Sequence, residues 1–104
     1  MDSRAQEIKQ AVNDVLLAWF CASGVAYPFR GTTAANLSSE QIANAIVKAD
    51  GGVLFPAGSA KELKGSIKKA VKKIAKIDMS DAWAQKHVAE LIAGAVGEDL
   101  GGSA

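Results

Sequence analysis

"SAKELKGSIKKAVKKIAK", residues 59–76, is the stretch whose reading decides the fold class. Leu63, Ile67, Ala70, Val71 and Ile74 recur three or four positions apart, and Ile77 continues the series just beyond the quoted stretch. That spacing puts them on one side of an α-helix, because each residue advances about 100° around the axis. Lys61, Lys64, Lys68, Lys69, Lys72, Lys73 and Lys76 fill the opposite half, against a single acid, Glu62. A helix divided this sharply needs an apolar neighbour on one face and water or an acidic surface on the other. Ser59 and Glu62 have the spacing of a capping box, which starts the helix with Ser59 as its N-cap.

The flanking segments supply the neighbours. Upstream, Ser38-Ser39-Glu40-Gln41 forms a second capping box with Ser38 as N-cap. Ile42, Ala45, Ile46 and Ala49 then make an inner face, and Gly51-Gly52 ends that helix. Near the amino end, Ala5, Ile8, Ala11, Val12, Val15, Leu16 and Trp19 mark a helix from about Ser3 to Ala22. Its second half is apolar all round, because Leu17 and Phe20 point away from the main stripe. Such a helix wants cover on more than one side, so Leu17 and Phe20 are candidate self-association residues. Downstream, a last helix begins near Asp78 or Ser80 and carries Ala84, Val88, Leu91, Ile92 and Ala95. Asp78 and Asp81 suit its N-terminal end, where the helix dipole favours negative charge. Gly97 reads as its stop, and "GEDLGGSA" as a tail.

The expected architecture is therefore all-α: a compact bundle of about four helices in one domain, residues 1–97, with 98–104 as a flexible tail. No β-branched run has period two. Any strand is expected to be a short piece of a repeated phrase, Gly-Val-x-aromatic-Pro, which occurs at Gly24-Val25-Ala26-Tyr27-Pro28 and Gly52-Val53-Leu54-Phe55-Pro56. Both copies read as helix stops. Gly takes a left-handed backbone without strain, Val folds back on the last turn, and Pro prevents the helix resuming. Tyr27 and Phe55 are then placed to plug the ends of the core.

A chain of 104 residues suits one domain with its own core. The lone cysteine, Cys21, requires no oxidising compartment. The opening "MDSRAQEIKQ" is unlike a secretory signal, and no apolar stretch is long enough to span a bilayer. A cytoplasmic location is the expectation. Net charge is +1, yet the lysine-rich segment alone carries seven cations and one acid. The remaining chain holds five basic and ten acidic residues, so the molecule is a charge dipole rather than a polycation.

Little in the sequence points to catalysis. His87 is the single histidine, and Cys21 sits in the apolar run "WFCAS", as a small buried hydrophobe does. One His and one Cys without paired spacing do not make a zinc site. Gly58-Ser59 followed by Lys61 and Lys64 resembles a phosphate loop only loosely, since Gly-Lys-Ser/Thr is absent. The second and third helices do not form a helix-turn-helix, because "DGGVLFPAG" is longer than the turn allows. No enzymatic activity, cofactor or metal is expected.

The lysine face admits an ordinary solvated surface, an acidic protein partner, or phosphate of a nucleic acid or membrane. Base reading favours arginine, and the two arginines, Arg4 and Arg30, lie elsewhere. The expectation is a small binding or regulatory protein that self-associates, with a homodimer the expected form, and contacts an acidic protein through Lys61, Lys64, Lys68, Lys69, Lys72, Lys73 and Lys76. Sequence-independent nucleic-acid binding by the same lysines is the alternative.

Overall fold

Helix α1 spans Ser3–Cys21 and buries Ile8, Val12, Leu16 and Phe20, one residue per turn, so its inner stripe runs the length of the helix. The structure is a computed structural model, and it describes residues 3–21, 29–56 and 58–101. The other helices are α2 (Ser39–Asp50), α3 (Ala60–Lys73) and α4 (Ala82–Gly101), with a 3₁₀ turn at Ala34–Asn36. The protein is thus an all-α bundle. Among the described residues, β-pairing is confined to one isolated bridge between Thr33 and Asp78.

α4 is the centre of the bundle: it packs along α1 and against α3, while α2 rests mainly on α3. Two neighbours explain why α4 is buried over a wide arc that includes Ala84, Val88, Ala89, Ile92, Ala93 and Val96. α1 and α4 are antiparallel, since Gly97 and Gly101 meet the Ala5 end of α1 and Leu17 lies beside Trp83. Gly97 does not stop α4; the helix runs on to Gly101, which is buried, and Leu100 packs against the core. Both glycines serve a close helix crossing. A Cβ at Gly97 would lie 2.7 Å from the Ala5 carbonyl oxygen, and one at Gly101 would lie 2.7 Å from Ala5 Cα.

The helix ends follow local chemistry. Ser38 caps α2, its Oγ accepting the Gln41 N–H at 3.2 Å. Gly51-Gly52 ends α2 as expected, with Gly51 at the C-cap and both residues left-handed, φ 62° and 86°. Val53 is 82% exposed and does not fold back, whereas Phe55 is buried as a plug. The Asp50 carboxylate holds this connector, accepting N–H groups from Leu54 at 2.9 Å and Phe55 at 2.8 Å. The other copy of the phrase, with Gly24 and Tyr27, lies outside the described residues.

Ser59 stands at the N-cap of α3 without the expected capping bond; its Oγ donates instead to the Pro56 carbonyl at 2.7 Å. α3 ends at Lys73, short of Ile77, and a tight turn follows through Ile74 and Ile77. This turn pairs with the loop after α1. Ala34 N–H donates to Ile77 O at 2.9 Å and Met79 N–H to Thr32 O at 3.0 Å. The pairing buries Ala34 and Met79 completely. α4 then starts at Ala82, capped by Asp81, whose carboxylate accepts the Ala84 N–H at 2.8 Å. Buried Gln85 donates to the Met79 carbonyl at 3.1 Å and ties the same turn to α4.

Candidate functional site

α3 positions the lysines by what it buries. Leu63, Ser66, Ile67, Ala70 and Val71 face the bundle. Lys61, Lys64, Lys68, Lys69, Lys72, Lys73 and Lys76 are all exposed. The helix therefore presents the cationic face that its pattern predicts.

Tertiary packing divides that face in two. Lys64, Lys68 and Lys72 overlook a groove of about 370 Å³, closed on its far side by Leu37, Ser38 and Glu40. The first turn of α2 lines this groove, so the positive end of its dipole adds to the lysine potential. Lys69 and Lys73 instead border a narrow cleft against α4 with Asp99 and Ser66. The Ser66 hydroxyl is buried there without a hydrogen-bond partner among the described residues. Glu40 and Asp99 thus flank the cationic strip on opposite sides. Neither is adjacent to the lysines in sequence, so only the fold reveals this border.

The two candidate self-association residues have separate fates. Phe20 is 1% exposed and belongs to the chain's own core. Phe29, returning from the loop, meets it edge-on at a centroid distance of 5.0 Å, and Trp19 flanks both rings. The cover that Phe20 needs comes from within the chain, which removes it from any surface. Leu17 is half-buried and lines a second groove, of about 400 Å³, between α1 and α4. Asn13 shares this groove, and its Oδ1 is buried with no hydrogen-bond donor among the described residues.

The far wall of that groove is the outward ridge of α4. Trp83 is 73% exposed and its indole stacks nearly parallel on the His87 imidazole, with centroids 5.3 Å apart. Leu91, expected on the inner face, is instead 37% exposed. Trp83, His87 and Leu91 fall at i, i+4 and i+8, which makes one continuous ridge. The spacing was visible in the sequence; which side of α4 faced water was not.

No described helix is long and apolar enough to cross a membrane. In comparisons with known proteins, the chain matches no protein-family model, no curated protein and no solved structure.

Proposed function

We propose that this chain is a small, non-enzymatic helical binding protein that contacts an acidic protein partner through the lysine face of α3 and also self-associates. The observation that carries the reading is the exposure of all seven lysines, six on α3 and Lys76 in the turn after it, opposite a helix face that is core. The charge distribution favours a protein over a nucleic acid. Outside residues 61–76 the chain carries twice as many acids as bases, ten against five. A duplex long enough to engage the whole strip brings phosphate near that acidic surface, whereas a protein partner can match a local patch of one sign. The absence of arginine from α3 removes the bidentate fork suited to phosphate and guanine.

The test replaces Lys68, Lys69, Lys72 and Lys73 together with Gln and measures binding to poly-L-glutamate, a stand-in for an acidic surface. The variant is expected to stay folded and to lose at least about tenfold in affinity in low salt, where charge attraction is least screened. Equal binding by both proteins would return the lysines to an ordinary solvated face.

A further inference from the structure

We propose that the acidic partner docks as an extended peptide segment in the groove between α3 and the start of α2, with its carboxylates on Lys64, Lys68 and Lys72. This rests on the acidic-partner reading above. It names the half of the lysine strip that carries the contact and the form in which the partner arrives.

Volume separates the two sides of the strip. The groove beside Lys64, Lys68 and Lys72 encloses about 370 Å³, at the lower end of the range of about 300–1,000 Å³ usual for binding pockets. The cleft beside Lys69 and Lys73 encloses about 80 Å³. At about 30 Å³ per water it admits a few waters and no peptide. Charge points the same way. In the groove three lysines face one acid, Glu40, whereas in the cleft two lysines face Asp99. Ala35, Leu37 and Val71 complete the groove wall. An apolar wall beside charges of one sign concentrates their field on whatever enters.

Spacing selects the form of the segment. Lys64, Lys68 and Lys72 are four residues apart on one helix, so they stand about 6 Å from one another in a row about 12 Å long. In an extended chain every second side chain points the same way, at intervals of about 6.6 Å. Carboxylates at alternate positions therefore meet the three lysines one to one. A helical partner, about 10–12 Å across, would occupy about 1,000 Å³ over the same length and cannot enter the groove.

The test uses the full chain and two octapeptides of equal composition, Glu-Thr repeated four times and Glu-Glu-Thr-Thr repeated twice. In the second peptide, extended, carboxylates on either face stand about 13 Å apart and skip Lys68. Two variants remove equal charge from opposite sides of the strip: Lys64, Lys68 and Lys72 replaced together with Gln, and Lys69, Lys73 and Lys76 replaced together with Gln. All six are exposed, and Gln is a good helix former, so both variants are expected to keep the helical spectrum. In low salt the first is expected to lose at least about tenfold in affinity for the alternating peptide, and the second about threefold or less. Wild type is expected to prefer the alternating peptide by about threefold or more. Glu40→Gln is expected to tighten its binding about twofold to threefold, a gain that unfolding does not mimic.

Equal losses in the two lysine variants, or binding of poly-L-glutamate without either octapeptide, would overturn the groove and leave the acidic-partner reading standing. Equal affinity for the two peptides would overturn the extended register. Tighter binding of a random DNA duplex than of either peptide would assign the groove lysines to phosphate and overturn peptide docking. A wild-type chain that binds neither octapeptide nor poly-L-glutamate would overturn the acidic-partner reading itself.

Discussion

Gly97 and Ala5 meet so closely that a single added methyl group would not fit: a Cβ at Gly97 would stand 2.7 Å from the Ala5 carbonyl oxygen and 3.2 Å from Lys9 Cβ. The obstacle is backbone, which cannot rotate aside. Gly97 therefore sets how deeply α1 lies against α4, and with it the alignment of Asn13 and Leu17 beside Trp83 and His87.

Gly97→Ala is expected to destabilise the fold by about 1–3 kcal/mol, the usual range for overpacking. Gly65 is the contrasting site. It lies exposed in α3, and nothing stands within 4 Å of an added Cβ. Gly65→Ala is expected to stabilise by about 0.5–1 kcal/mol, because alanine is the better helix former. Thermal melts read both, with a shift of about 4–8 °C per kcal/mol for a domain near this size. Equal effects at the two sites would contradict the close crossing.

The helix caps give a second contrast. Ser38 Oγ accepts a first-turn N–H of α2, whereas Ser59 Oγ bonds to the preceding loop. Ser38→Ala is expected to cost about 1 kcal/mol, with a smaller loss for Ser59→Ala. Asp81→Ala should resemble Ser38→Ala, since its carboxylate caps α4. Urea titrations of the three variants check the ranking.

Asp50 anchors the α2–α3 connector through the N–H groups of Leu54 and Phe55. Asp50→Ala leaves two donors without that acceptor and is expected to destabilise by about 1–3 kcal/mol. Phe55, buried directly after these contacts, should become accessible to solvent or protease in the same variant. A stability change without altered accessibility at the connector would place the role of Asp50 elsewhere.

The main elements were legible because helical period and capping are local properties. The stripe at Ile8, Val12 and Leu16 reports a buried face directly, as do Leu63, Ile67 and Val71 on α3. The lysine half of α3 followed from the same geometry. What depended on a distant partner did not. A glycine at a helix end and a glycine at a helix crossing look alike in sequence, so Gly97 reads as a stop until Ala5 is placed beside it. Phe20 reads as surface until Phe29 covers it. Leu91 satisfies the apolar period of α4, yet two packed neighbours turn the buried arc toward Ala89 and Ala93 and leave it outside. The groove between Lys68 and Ser38 joins residues thirty positions apart, beyond any local pattern.

The central claim is that the α3 lysines recognise acidic protein rather than phosphate. Its most direct measurement is a competition at about 0.15 M salt, where surface charges are screened beyond about 8 Å. Poly-L-glutamate and a random-sequence DNA duplex compete for wild-type protein, with the four-lysine Gln variant alongside. The account predicts that poly-L-glutamate holds the wild type in preference to DNA and releases the variant. Tight, steeply salt-dependent binding of the wild type to random DNA, lost in the variant, would contradict it and make the chain a sequence-independent nucleic-acid binder.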